Sequence, residues 1–277
     1  MTQRRLIDRR MAIADLGRAG LAIMVFGAAA CADGAGGDNK SSTSPDQRAS
    51  ADTSKTSTPA PTNSSATTPV RFSDTTAYER VHLDFVSAYI LYRDGEAAVV
   101  DTGVTNSEAA IEAALAGIGL GWDAVGHLIL THKHPDHQGS AEAVIAAAPG
   151  ISVYAGHQEL SRIETSITPI GVGEGDHVFD LRIIDTPGHT AGHIAVLDEA
   201  SGILVLGDAM NGAGSGVGGS GTGIGGANPR FSEDMSAANA SIKKLATFEY
   251  RYVLFGHGEP LLENGSARVR EFAAQLP

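Results

Sequence analysis

One cysteine in 277 residues is too few for a disulfide framework, or for a zinc or iron-sulfur site built on several thiolates. Cations are also scarce, with 20 Lys and Arg against 32 Asp and Glu and a formal charge of −12. Nucleic acid is thereby disfavoured as a partner, because phosphate binding draws on clustered basic side chains. No stretch is apolar for long enough to span a bilayer as a helix. The run Gly20–Ala30 (GLAIMVFGAAA) would rise roughly 16 Å, about half of a hydrocarbon core. What the chain does have is ten histidines, so any metal site must use imidazole and carboxylate.

Charge is unevenly placed. Residues 1–30 carry five arginines (Arg4, Arg5, Arg9, Arg10 and Arg18) against Asp8 and Asp15, a net +3 that leaves −15 for the remainder. A basic stretch, a short apolar stretch and small residues form the pattern of an export signal over residues 1–30. Ala28-Ala29-Ala30-Cys31 resembles the lipobox of bacterial lipoproteins, which implies that Cys31 becomes a lipidated first residue anchored in the membrane. Arg9-Arg10 resembles a twin-arginine export motif, although Ala12 replaces its usual aromatic. Residues 31–70 turn to Ser, Thr, Pro, Asp, Gly and Ala, too little apolar surface to offset the entropy of ordering a backbone. They read as a tether, so the expected product is an exported lipoprotein facing outward, with plain secretion as the alternative.

The folded part is expected at 71–277. Short apolar runs bounded by turn residues predict strands at Val81–Val86, Ala88–Tyr92, Ala97–Val100, His127–Leu130, Ser152–Tyr154, Leu181–Ile184, Ile194–Leu197, Ile203–Leu206 and Tyr252–Phe255. Alanine-rich segments with helical spacing lie at Ser107–Ala116, Ser140–Ala148, Asp234–Thr247 and Ala267–Gln275. Hairpins first, then strands alternating with helices, predict a mixed α/β domain. The glycine-rich segment Asn211–Gly226 has no GxxxxGK[ST] and reads as a flexible loop, not a phosphate cradle.

The chemistry concentrates in Leu128–Gly139, LILTHKHPDHQG. A strand ends at Thr131, and His132, His134, Asp136 and His137 follow within six residues, with Pro135 expected to keep them on a loop. Three histidines and an aspartate in that space are a ligand set for a cation such as zinc. His189 in DTPGHTAGH, Asp208 in ILVLGDAM and His257 in YVLFGHGEP each follow an apolar strand. Strand-end loops are where a rigid scaffold gathers polar groups distant in sequence.

These motifs, HxHxDH, PGHT, GD and GHG in that order, with the upstream VVDTG at Val99–Gly103, resemble the metallo-β-lactamase superfamily of binuclear metallohydrolases. The resemblance implies a four-layer αββα sandwich with two metals at its edge. It implies that His132, His134 and His189 hold a first zinc, that Asp136, His137 and His257 hold a second, and that Asp208 bridges them. A shared water acidified by two zincs would supply the attacking hydroxide, and Asp136 could orient it or pass a proton on. Asp101 is expected to orient a ligand histidine from behind, and His193 to do so or simply to be buried. His82, His127, His157 and His177 receive no role.

The superfamily fixes reaction class and not substrate. The leading expectation is a zinc hydrolase of a small ester, thioester or lactone, with iron or manganese as the alternative metals. A β-lactamase is disfavoured by Asp208, since the main subclass uses cysteine there and other β-lactamases lack an acidic bridge. A mononuclear-iron persulfide dioxygenase and a non-catalytic surface binding module are the remaining alternatives.

Overall fold

A computed structural model describes residues 75–216 and 223–277. The expected signal and tether with Cys31, and residues 217–222 of the glycine-rich segment, lie outside the described residues. In chain order the elements are β1 (Ala77–Leu83), β2 (Val86–Arg93), β3 (Glu96–Val100), α1 (Glu108–Gly117), β4 (Val125–Leu130), α2 (Pro135–Gln138), α3 (Ala141–Ala147), β5 (Ser152–Gly156), β6 (Ile170–Val172) and β7 (His177–Val178). There follow β8 (Leu181–Asp185), β9 (Ile194–Asp198), β10 (Ile203–Val205), β11 (Met210–Asn211), β12 (Gly225–Gly226), α4 (Met235–Leu245), β13 (Tyr252–Leu254) and α5 (Gly265–Ala273).

Side chains alternate across a strand, and here the alternation sorts the core into three layers. In β2 and β3, Ala88, Ile90, Ala97 and Val99 pack outward against Ile111 and Leu115 of α1 and Val144 of α3. Their neighbours Tyr89, Leu91, Ala98 and Val100 face the other way, onto Leu181, Ile183, Val196 and Val205 of the second sheet. The far face of that sheet, through Ile184, Leu197, Leu204 and Val253, is covered by Ile242 and Leu245 of α4 and Val269 of α5. Helix, sheet, sheet, helix is therefore the layer order, as expected.

The first sheet runs β1-β2-β3-β4-β5-β6 and the second β13-β10-β9-β8-β7. Strands β3 to β6 are parallel. In the second sheet β10 and β13 are parallel, and β9 is antiparallel to both β10 and β8, so β8, β10 and β13 share one direction. Hydrogen bonds tie the two sheets together at one rim: the Ile194 amide donates to the Thr131 carbonyl at 3.0 Å, and the Tyr89 hydroxyl donates to the Phe255 carbonyl at 2.7 Å.

Several local expectations need correction. The run expected as one strand, Val81–Val86, is the end of β1, a turn and the start of β2; Asp84 sits at φ 66°, which breaks the strand. Pro135 does not exclude a helix but opens the one-turn α2, because at the first helical position its missing N–H has no intrahelical partner to lose. The ends of the glycine-rich segment are not loop: β11 pairs with β12, Met210 opposite Gly226. Glycine is required at 212 by close approach, since a Cβ there would lie 2.3 Å from the Glu259 carbonyl oxygen. Among the described residues no helix is long and apolar enough to cross a membrane.

Candidate metal centre

The shared direction of β3 and β4 in one sheet, and of β8, β10 and β13 in the other, brings five carboxyl ends to the tied rim. Asp101 follows β3, the HxHxDH segment follows β4, His189 follows β8, Asp208 follows β10 and His257 follows β13. All seven expected ligands converge there. His132, His134 and His189 offer ligand atoms within 4.8 Å of one another, as do Asp136, His137 and His257, and a third group joins His132, His137 and Asp208. His132, His137, His189 and His257 are buried, while His134 and Asp136 are partly open to solvent.

The backs of the imidazoles decide which nitrogen faces inward. The buried Asp101 carboxylate accepts from the Thr131 amide (2.8 Å), from the Thr131 hydroxyl (2.8 Å) and from His137 Nδ1 (2.8 Å). Because that hydroxyl gives its proton to Asp101, its oxygen accepts from His132 Nδ1 at 3.0 Å. Ser232 does the same for His189: it donates to the Asn228 carbonyl (2.7 Å) and accepts from Nδ1 (3.1 Å). His257 Nδ1 donates to the Phe85 carbonyl at 2.7 Å. Four imidazoles thus turn their Nε2 inward, which is how outer partners fix a ligand histidine.

The inward atoms fit a cation. His134 Nδ1 lies 3.1 Å from His132 Nε2 and 2.9 Å from His189 Nε2, and a single proton on His134 cannot serve both contacts. Nitrogens bound tetrahedrally to zinc at about 2.0–2.1 Å lie about 3.3 Å apart, close to this spacing. His137 Nε2 and Asp208 Oδ1 are buried with no hydrogen-bond partner, 3.2 Å from each other. Asp208 Oδ2 is 3.4 Å from His189 Nε2 and 3.3 Å from His257 Nε2, so this carboxylate stands between the two sets.

Electrostatics separate the two sets. Burial pulls His132 well below its ordinary value, lowers His134, and brings His189 down to about 4, so the first set is neutral at pH 7. Burial also pulls on His137, but the Asp208 and Asp101 carboxylates outweigh it and hold the imidazole well above the usual range. For His257 burial is outweighed by bonds to Asp136 and Asp208, and its value rises to about 9. Burial would raise Asp208, yet His137 and His257 beside it keep it well below the ordinary carboxylate value.

His193 stands apart from the candidate ligands. Its Nε2 accepts from the Asp208 amide at 3.1 Å, so its other nitrogen carries the proton and donates to Thr186 at 2.7 Å. It supports the Asp208 loop.

The chain matches the family model of the Metallo-beta-lactamase superfamily over residues 82–257. It belongs to that superfamily. Similar proteins include a hydroxyacylglutathione hydrolase of Alkalilimnicola ehrlichii, 38% identical over 122 residues that cover 43% of this chain and 44% of the relative. An uncharacterized protein of Bacillus subtilis, YobT, is 29% identical and covers 67% of this chain and 88% of its own length. The chain spans less than half the length of the first hydroxyacylglutathione hydrolases it matches, 44% and 47% for two of them. In fold it is similar to a metallo-beta-lactamase family protein of Thermus thermophilus, with TM-score 0.55, 23% identity and coverage of 71% and 78%. The subclass B3 metallo-beta-lactamase of Bradyrhizobium japonicum gives TM-score 0.53, 17% identity and coverage of 71% and 86%.

Around the shared motifs, this superfamily member adds supports that the sequence did not announce. Glu159 is fully buried beyond β5, and its two carboxylate oxygens accept from the amides of Lys133 (3.0 Å) and Gly192 (2.8 Å). It thereby joins the His132–His134 loop to the loop that carries His189. Glu233 joins the same two loops at the surface, pairing with the Lys133 ammonium and accepting from the Ala191 amide at 2.9 Å. The centre opens into a cleft of about 290 Å³ walled by Phe85, Pro135, Asn228 and Phe231.

Proposed function

We propose that the chain is a binuclear zinc-dependent hydrolase of a small ester, thioester, lactone or related substrate, with iron or manganese as the alternative metals. The observation that carries this reading is the convergence of seven imidazole and carboxylate side chains, with His137 Nε2 and Asp208 Oδ1 buried 3.2 Å apart, at the floor of a cleft. His132, His134 and His189 would hold one ion and Asp136, His137 and His257 the other, with Asp208 shared. The similarity to hydroxyacylglutathione hydrolases supports a thioester among the candidate substrates. When bound, such a pair of ions supplies Lewis acidity and an acidified water.

The protein's own residues orient and move protons around that chemistry. Asp101, Thr131, Ser232 and the Phe85 carbonyl engage the Nδ1 atoms, so that Nε2 is the nitrogen each of these imidazoles presents inward. Asp136 lies on the cleft; burial would raise its pKa, but His257 and His137 lower it below the ordinary value, so it is ionised and able to accept a proton. Hydrolysis forms a carbon–oxygen bond to water and breaks the acyl bond to sulfur or oxygen. Asp136 is placed to carry the proton from the water to the leaving thiol or alcohol.

Metal analysis of the purified protein with and without Asp208→Ala, alongside an ester, thioester and lactone panel, tests the reading. At least one metal per chain, turnover of one class and loss of both in the variant are expected. Less than one metal with no turnover overturns it. Bound iron together with oxygen uptake on a persulfide would replace it with the redox alternative on the same ligands. The export signal over residues 1–30, lipidation at Cys31 and a tether ending near residue 70 belong to the same proposal, and place the hydrolase on the outer side of a membrane.

A further inference from the structure

Among the described residues five large apolar side chains are exposed, and two of them, Phe85 at 48% and Phe231 at 51%, stand at the mouth of this cleft. Isolated exposed apolar residues are ordinary; a pair facing one concave, metal-ligand-floored site is not scattered in that sense.

Both rings are fixed relative to the candidate ligands. Phe85 lies in the β1–β2 turn, its carbonyl accepts from His257, and its ring lies parallel to that imidazole at 5.9 Å and 7°. Phe231 closes a turn through its amide to the Asn228 carbonyl at 3.0 Å, and the adjacent Ser232 bonds both that carbonyl and His189. Each ring is therefore registered to a different ligand histidine, one from each set. The described lining carries no Lys or Arg. Lys133 is paired with Glu233, and the Arg230 guanidinium lies 5.6 Å from the Phe231 ring centroid, stacked on the aromatic wall.

Resting on the hydrolase reading above, the geometry assigns to this cleft substrates whose acyl group is neutral and apolar, held between Phe85 and Phe231. An anionic conjugate such as a glutathione thioester finds no Lys or Arg on the described lining to pair with its carboxylates.

The test uses the metal-loaded protein on neutral thioesters with acetyl, butanoyl, hexanoyl and benzoyl groups, beside a glutathione thioester with a matched acyl group. Expected is a rise in kcat/KM of about two- to fourfold per added methylene. The neutral thioester should exceed the glutathione thioester, and the slope should flatten in Phe231→Ala and Phe85→Ala at unchanged metal content. A flat series in the native protein, or a glutathione thioester favoured tenfold and indifferent to both substitutions, overturns the assignment. If no member is turned over, the thioester branch of the hydrolase reading fails by itself, and the ester and lactone branches are decided by the wider panel. The aromatic clamp is then judged by binding of acetohydroxamate, hexanohydroxamate and benzohydroxamate, where affinity rising with the apolar group supports it and equal affinity overturns it.

Discussion

Asp101 shows how much one side chain can settle. Through its bond to His137 and, by way of Thr131, its effect on His132, it orients one histidine in each candidate ligand set. Its backbone sits at φ 60°, a region that asparagine also enters readily. Asp101→Asn therefore leaves the turn intact and changes only the donor pattern, presenting an amide that cannot accept from all three partners. Metal affinity, read by competition with a chromophoric chelator, should fall about 10- to 100-fold with the melting transition still cooperative. Affinity equal to the native protein would remove Asp101 from the centre's support. The convergence of the HxHxDH cluster, His189, Asp208 and His257 was legible in the sequence because each candidate ligand is marked by its own side chain and follows an apolar run. The partner of His257 was not, because a carbonyl of Phe85, a residue 172 positions away, leaves no mark in side-chain identity.

At the scale of elements, the two loops after β4 and β8 are joined twice by carboxylates, once inside by Glu159 and once at the surface by Glu233. Removing the buried Glu159 carboxylate leaves two part-buried amides without acceptors, a cost of up to about 1–3 kcal/mol each, whereas the exposed ion pair contributes about 0–1 kcal/mol. Glu159→Ala should thus lower the melting temperature sharply and weaken the His132, His134 and His189 set, followed through the ligand-field spectrum of cobalt(II) in that set. Glu233→Ala should change both only slightly. Equal effects of the two variants would show that burial is not what makes the clamp. Strands β2, β3, β8 and β9 could be read as short apolar runs because both of their faces are buried, each in a different core layer, whereas the layer order was implied only by the family resemblance. Strands β6, β7, β11 and β12, with the sequences IGV, HV, MN and GG, are too short or too poor in apolar residues for a run to register. The role of Pro135 was misjudged because a helix start and a helix break use the same residue, and only the fate of the preceding four residues distinguishes them.

For the molecule as a whole, the two sets differ in what pH does to them. His132, His134 and His189 have lowered pKa values and are unprotonated at pH 7, so a metal entering there displaces no proton. His137 and His257 have raised values, the latter about 9, so a metal in the second set must expel protons, and does so more easily as pH rises. Occupancy after dialysis against limiting zinc should approach one ion per chain near pH 6 and grow toward two as pH rises to about 9. Parallel pH dependence of both ions would contradict this. At the other end of the chain, Cys31→Ser should abolish incorporation of a labelled fatty acid in a bacterial host and release the protein into the soluble fraction. Unchanged labelling would exclude Cys31 as the attachment point.

The rim where the sheets meet gives the centre a second consequence. Its side chains come from Asp101 in the first sheet to His257 in the second, and the described residues contain no disulfide that could span that interval. A bound metal pair would act as a removable cross-link, closing a loop of about 55 residues between His134 and His189 and one of about 120 between His137 and His257, a constraint whose entropy on the unfolded chain is comparable to that of a long-range disulfide. Parting the two sheets and releasing the ions would then be one event, and a chelator would act on this protein as a reductant acts on a disulfide-stapled one.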